Sequence, residues 1–282
     1  MAEKKRPARK VAKPSRLKRA AAESRLFVQS VEKAMKVLMA FDGTRRHLSL
    51  TNIAALAEID LSTAQRFTHT LTALGYLSKD PETREYELSV RLLDFTYHYL
   101  ASSELVQRAV PVLHQLARET EEACNLTVAD GTDIVFVARL ISRRSLNPNV
   151  IVGTRLPAYC TAPGLAILST YDEQEVDDIL ASSDLVQYTA NTIVDPKRIK
   201  ERLGRIRVAG YSLTADELYY DDVSTAAPIL DARGRAIGAL NVAVSRASWD
   251  PDASEKRHSA LLKSAAASIS APRLPRRTSA RS

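Results

Sequence analysis

Cysteine is scarce in this chain. Cys124 and Cys160 are the two among 282 residues, too few for a disulfide framework, and this points to a reducing cytoplasm. No apolar run approaches the ~18 residues that a membrane span needs, and no signal peptide opens the sequence. Membrane contact is therefore not expected. Catalytic signatures are also missing: there is no G-x-S-x-G, H-E-x-x-H, P-loop or dinucleotide fingerprint. His47, His69, His98, His114 and His258 have no metal-ligand spacing. Catalytic residues, metal ions and cofactors are not expected. The length exceeds the roughly 100–200 residues of one domain, so a second core is anticipated.

Positive charge is present in excess, and it sits at the ends. The chain has 40 basic and 33 acidic residues, for a net +7. Residues 1–26 hold ten of the basic ones, Lys4, Lys5, Arg6, Arg9, Lys10, Lys13, Arg16, Lys18, Arg19 and Arg25, against Glu3 and Glu23. The remainder is near neutral. Such a basic, Pro- and Ala-rich segment reads as disordered alone, either lying along phosphates or serving as a solubilising tail. Residues 271–282, with Arg273, Arg276, Arg277 and Arg281, form a second basic tail with the same two readings.

The segment Leu48–Leu88 has the order of a winged helix-turn-helix. Ser49 is placed to cap a helix from Leu50 to about Glu58, with Ile53, Leu56 and Ala57 inward. Ile59, Asp60 and Leu61 form a break. Ser62, with Gln65 three residues on, has the spacing of a capping box for a second helix. Ala64, Phe67, Leu71 and Leu74 are expected inside it, leaving Thr63, Gln65, Arg66, Thr68, His69 and Thr70 outward. Arg, Gln and Thr are side chains that read base edges or hold phosphates. Gly75 falls where a helix end wants a left-handed residue. Tyr76–Ser78 and Arg84–Leu88 flank the turn residues Asp80–Thr83 and form the wing. An earlier helix, Val31–Phe41, has Val31, Ala34, Met35, Leu38 and Phe41 as its core stripe, with Met39 also assigned to the core. A three-helix bundle with a merely solvated polar face competes with this reading, but cap, break, cap, Gly and hairpin occur in order and favour DNA binding. The candidate DNA contacts are Thr51, Ser62, Thr63, Gln65, Arg66, His69 and Arg84.

Beyond residue 90 the pattern changes. Arg91–Leu100 is helical and too apolar for a free linker, so it is expected to pack on a second domain or a partner subunit. A helix follows from about Val106 to Ala123, with Val110, Leu113, Leu116 and Ala117 inward and its first turn set apart by Pro111. Strands are expected at Asn125–Ala129, Ile134–Leu140, Asn149–Gly153, Tyr211–Thr214, Val223–Leu230 and Ala236–Val244. Helices are expected at Ala162–Ser169, Asp172–Ala181, Pro196–Val208 and Asp252–Ser270. The mixture predicts an α+β chain whose second domain has a mainly antiparallel sheet. Asp216, Glu217, Asp221 and Asp222, beside Tyr219 and Tyr220, read as solvated or subunit-contact residues rather than general acids.

Several of these segments together resemble the IclR family of bacterial transcriptional regulators. They are Ser30–Ala34, Leu61–Thr63 with Arg66, Leu74–Leu77, Val152–Thr161 and Ala226–Ile229. The Gly153–Thr161 stretch is most similar to the branch controlling aromatic-acid and β-ketoadipate catabolism. The resemblance implies a winged helix-turn-helix (residues 27–89), a helical linker (90–105) and a GAF-like effector-binding and oligomerisation domain (106–270). It also implies a homodimer or homotetramer on a palindromic operator in double-stranded DNA, with RNA polymerase as a further partner.

For the effector, the resemblance implies a small organic acid held by the loop Leu156–Ala162, after a central strand. Backbone N–H groups there, and the start of a helix at Ala162, favour an anion. The implied contacts are Tyr159, Cys160, Thr161 and Ala162, and, across the cavity, Thr214, Ser224, Asn241 and Ala243. In small-carboxylate sensors of the family these last four places often hold an acid, a Cys and two Ser. The departure here points to an aromatic or longer dicarboxylic acid. The family helix usually starts with Ser or Thr, a variable residue, Gly, then a base. Here it reads Ala162–Pro163–Gly164–Leu165, so Arg139, Arg143 and Arg144 become alternative cations, with solvated arginines as the plainer reading. Cys160 is read as a small buried apolar residue rather than a nucleophile. The alternative function is an enzyme or binding protein of GAF-like fold with an appended nucleic-acid-binding domain.

Overall fold

The computed structural model describes residues 24–141 and 150–271. The expectations for the two basic tails, Arg143, Arg144 and Asn149 fall largely or wholly outside the described residues. The chain divides after Ser102 into two compact units.

The first unit contains helices α1 (Gln29–Met39), α2 (Leu50–Ala57) and α3 (Leu61–Ala73), a hairpin of β1 (Leu77–Lys79) and β2 (Tyr86–Leu88), and then α4 (Leu93–Ser102). Ser49 caps α2 by accepting from the Asn52 N–H at 3.2 Å, as expected. The cap of α3 is Asp60, not Ser62. The Asp60 carboxylate accepts from the Thr63 N–H at 2.8 Å and from the hydroxyls of Ser62 and Thr63. An acceptor-only group served by three donors satisfies the open helix end better than a hydroxyl could. The same donors hold the Asp60 carboxyl far below its usual range.

The core of this unit gathers Val37, Phe41, Leu48, Ile53, Leu71, Leu77 and Tyr86. On α3 the buried residues are Ala64, Thr68 and Leu71, not the expected Leu74, and Phe67 is half-buried. Leu74 lies past the helix and leaves its stripe. Thr68 goes inside because its hydroxyl donates back to the Gln65 carbonyl at 3.1 Å. On α2, Ala54 takes the inward place expected of Leu56. On α1 the core residue is Val37, while Val31, Met35 and Met39 are exposed. That helix is apolar on more than one face, so spacing alone selects the wrong stripe. Gly75 has φ +79, the left-handed turn that launches β1. A single turn of 3-10 helix (Val90–Leu92) ties α4 to the wing: Arg91 donates to the Leu74 carbonyl and Phe95 stacks on Tyr76 at 5.7 Å.

The second unit begins with α5 (Glu104–Thr120), which runs through Pro111 without a break. Pro111 is its eighth residue, inside the helix, so one intrahelical N–H bond is missing there. Its buried residues are Ala109, Leu113 and Leu116, in place of Val110 and Ala117. A six-stranded sheet follows in the order β5-β4-β3-β8-β7-β6, antiparallel throughout. The strands are β3 (Ala123–Asp130), β4 (Asp133–Leu140), β5 (Arg155–Pro157), β6 (Ser212–Ala215), β7 (Asp222–Leu230) and β8 (Ala236–Ser245). The expected strand at 149–153 is not one where it is described. Residues 151–154 turn instead, with the Gly153 N–H on the Phe136 carbonyl, and the strand begins at Arg155 on the sheet edge. Helices α6 (Ala162–Leu168), α7 (Glu173–Ser182), α8 (Pro196–Ala209) and α9 (Pro251–Ile269) complete the unit.

Candidate DNA-reading face and effector cavity

On the first unit, Thr51, Ser62, Gln65, Arg66, His69 and Arg84 are exposed and Thr63 is half-buried. The hydroxyls of Ser62 and Thr63 are spent on Asp60, so their side chains hold the helix end first. Gln65, Arg66 and His69 line a shallow groove between α3 and the wing, together with Thr72, Lys79 and Tyr86. Lys79 was not anticipated. Its ammonium lies 5.1 Å from the centre of the Tyr86 ring and places a cation beside Arg66 and His69. The signal was available in its position, at the end of the strand that enters the wing turn.

On the second unit, pairing of the strands builds one polar face from residues far apart in sequence. Side chains facing one another across antiparallel strands share a face, and residues two apart on a strand share it too. Thr214, Ser224, Ala243 and Ala123 form one such row, by successive pairing of β6, β7, β8 and β3. Ser212, Ala226, Asn241, Asn125 and Arg139 form the next, and Asp222 and Ser245 lie beyond the first row.

Over this face lies α6. The Ser212 hydroxyl donates to the Ala162 carbonyl at 2.6 Å. Every residue of α6 is buried. A side chain at Gly164 would place its Cβ 2.2 Å from the Ala158 carbonyl oxygen, so only glycine lets the helix approach the preceding turn. Leu165, at the place of the family's usual base, is fully buried. The departure from the family pattern therefore puts an apolar residue into the core rather than a charge into the cavity.

Between sheet and helix is a cavity, part of it open to solvent. Seven of the eight expected effector contacts line it: Cys160, Thr161, Ala162, Thr214, Ser224, Asn241 and Ala243. Tyr159 does not. Its ring is buried elsewhere, and its hydroxyl donates to the Val186 carbonyl at 2.6 Å. The loop also differs from expectation, since it follows the edge strand β5 rather than a central one. The Ala158 N–H is spent on the Thr132 carbonyl and Pro157 and Pro163 have none, which shortens the run of candidate donors. Burial pushes the Cys160 thiol well above its usual range, against a thiolate role.

Sequence reasoning missed Asn125, Phe136, Leu218 and Tyr219 in the lining, and it had placed Asp222 at the surface. The loop after β6, with Asp216 and Glu217, is not solvated either. Both residues are buried. Glu217 receives both terminal nitrogens of Arg202, at 2.7 and 2.8 Å, and Asp216 pairs with Arg246 at 2.9 Å. Thr189 and Thr192 donate to the Asp216 and Glu217 carbonyls. Asp216 Oδ1 accepts from the Asp221 N–H, which closes the loop and sets Leu218 and Tyr219 against the cavity. Arg139 reaches the cavity from β4. Burial depresses its pKa, and the nearby Asp222 charge acts in the opposite direction. Among the described residues, no cluster of three His, Cys, Asp or Glu is arranged to hold a metal ion, and no helix is long and apolar enough to cross a membrane.

Comparison with known proteins places both units. Residues 97–271 match the model of the bacterial transcriptional regulator IclR C-terminal domain, and residues 30–81 match that of the IclR helix-turn-helix domain. The chain belongs to the IclR family. As a member it is a transcriptional regulator, with a DNA-binding helix-turn-helix and a small-molecule effector domain. It is 34% identical to the Pca regulon regulatory protein of Pseudomonas putida, over 77% of this chain and 74% of the relative. It is 31% identical to the p-hydroxybenzoate hydroxylase transcriptional activator of Acinetobacter baylyi, over 76% and 80%. Among solved structures, an IclR homolog from Microbacterium hydrocarbonoxydans complexed with 4-hydroxybenzoate shares the fold at TM-score 0.72 and 22% identity, covering 85% of this chain and 97% of that one. The curated relatives are named as regulators of transcription, not as enzymes.

Proposed function

We propose that this IclR-family regulator controls its operator in response to an aromatic acid or a dicarboxylate of aromatic catabolism, bound in the cavity beneath α6. The observation that carries this reading is the cavity itself. It sets apolar walls from Ile134, Phe136, Leu156 and Leu218 against the polar face of Thr214, Ser224 and Asn241, with the cation Arg139 at one side. Apolar walls with a few convergent polar groups suit a ring or a short methylene chain ending in a carboxylate. The names of the two relatives at 34% and 31% identity point to the same chemistry.

In this reading residues 27–89 read double-stranded DNA, with Gln65, Arg66, His69 and Lys79 toward the groove and Thr51, Ser62, Thr63 and Arg84 toward phosphates. Residues 90–105 link this part to the effector-binding and oligomerisation part, 106–270. The basic tails, 1–26 and 271–282, add phosphate contacts or solubility. The regulator acts in the cytoplasm as a homodimer or homotetramer on a palindromic operator, where it can meet RNA polymerase. The acid changes transcription only if it binds one operator-affinity state more tightly than the other.

The test is a mobility-shift assay on DNA upstream of the protein's own gene. It is repeated with 4-hydroxybenzoate, protocatechuate, β-ketoadipate and shikimate. One acid is expected to change a sequence-specific shift. Asn241→Phe is expected to abolish that response while the shift remains. A specific shift blind to every acid would refute the effector class, and a normal titration by the Asn241 variant would move the site elsewhere.

A further inference from the structure

Two amide side chains lie next to each other on the cavity floor. Asn125 on β3 faces Asn241 on β8 directly across the strand pair, where cross-strand Cβ atoms are about 5 Å apart. Both line the cavity and both are almost wholly buried, at 1% and 3% exposure. The Asn241 Nδ2 donates to the Ser224 Oγ at 3.0 Å. Its Oδ1 then has no hydrogen-bond partner, and neither has the Oδ1 of Asn125. Amide oxygens only accept, whereas the hydroxyls of Thr214 and Ser224 around the same cavity can turn to donate or accept. A buried acceptor without a donor is unfavourable, and two side by side on a ligand-facing surface ask for donors from the ligand. A carboxylate has none to offer.

We infer that Asn125 and Asn241 form a paired acceptor that selects effectors bearing a hydroxyl substituent over acids of the same shape without one. The inference rests on the reading of this cavity as the effector site, and it deepens that reading. The apolar wall of Phe136, Leu156 and Leu218 accepts the ring or chain. The acid group then lies away from the two amide oxygens, which would repel it, and the hydroxyl lies on them. Sites built around buried hydrogen-bonding groups reject the analogue that lacks the matching group far more strongly than apolar pockets reject a missing methylene.

The experiment is calorimetric titration of the full-length protein with benzoate, 4-methoxybenzoate, 4-hydroxybenzoate, 3,4-dihydroxybenzoate and adipate. At least one hydroxylated acid is expected to bind about tenfold or more tightly than benzoate and 4-methoxybenzoate. Asn125→Leu keeps the approximate shape, removes the acceptor, and is expected to bring that ratio within about threefold. The wild-type comparison stands by itself if the variant does not fold, which its circular dichroism melt would reveal. Equal affinity for hydroxylated and unhydroxylated benzoates overturns the inference, as does a folded Asn125→Leu protein that keeps the preference. Binding of adipate alone overturns it while leaving the organic-acid reading in place. Binding of none of the five overturns both.

Discussion

The two units place the polar side chains of their candidate sites differently, outside in the first and inside in the second. In the first, the interior is almost entirely apolar, with Thr68 its one buried polar residue among the described residues, and Gln65, Arg66, His69 and Lys79 stand outside. In the second, Asn125, Thr127, Thr214, Ser224, Thr225 and Asn241 are buried on the sheet. A surface that meets a polyanion must keep its cations hydrated until contact. A cavity that meets a small acid must replace the water of that acid, so its polar groups have to be placed in advance and supported from behind.

The comparison breaks most sharply at the support of the cavity. Arg202 and Glu217 have side chains 15% and 7% exposed, with a two-point ion pair. Arg202→Leu is expected to destabilise the second unit by about 3 kcal/mol or more, because it strands a buried carboxylate. Trp249 is the single tryptophan of the chain and belongs to this unit, so its fluorescence in a urea titration isolates the effect. The double variant Arg202→Leu with Glu217→Leu is expected to recover part of the loss. A single-variant loss below about 1 kcal/mol would mean that the loop stands without the pair.

A smaller effect is expected on the outward face. Arg66→Ala should weaken operator binding by at least about 1 kcal/mol and leave effector affinity intact. An unchanged footprint would remove Arg66 from the reading face, and a parallel loss of effector affinity would blur the division between the units.

The smallest effect concerns His258 on α9, whose ring packs on Trp249 at 5.7 Å and whose Nδ1 has no hydrogen-bond partner. Burial, and then the charge of Arg257, hold it below its ordinary 6.5. The unfolded chain therefore takes up a proton that the folded unit resists. Stability is full above about pH 6.5 and declines as the pH falls below it toward the folded value. His258→Gln should flatten the fall in urea midpoint between about pH 7.5 and 5.5. Parallel slopes for the two proteins would assign the acid sensitivity to other groups.

Much of the first unit was legible from local chemistry. Ser49, the Gly75 turn and the Asp80–Thr83 hairpin act through atoms a few residues away, so spacing is sufficient to find them. The errors there had local causes as well: Asp60 outcompeted Ser62 for the helix end, and α1 offered two apolar stripes, of which the one with Val37 was buried. In the second unit the strands were legible, but their faces were less so. A strand covered on both sides loses the alternation that marks inside from outside, and this hid Asn125 on β3. Tyr159 was misjudged because neighbours in a loop can point in opposite directions. Only the fold shows that its hydroxyl reaches Val186.

The sequence by itself determined most of the elements, the order of the units, the outward polar side chains of α3 and the family. These follow from spacing, capping and turn chemistry, which act over a few residues. Tertiary structure decided which side chains share the cavity. Asn125 meets Asn241, and Thr214 meets Ser224, only through the register of strands brought together by the whole sheet. Gly164 became indispensable only when α6 was pressed against Ala158. Register and close approach are settled by long-range packing, where many weak contacts choose jointly, and no local stretch of residues carries that choice.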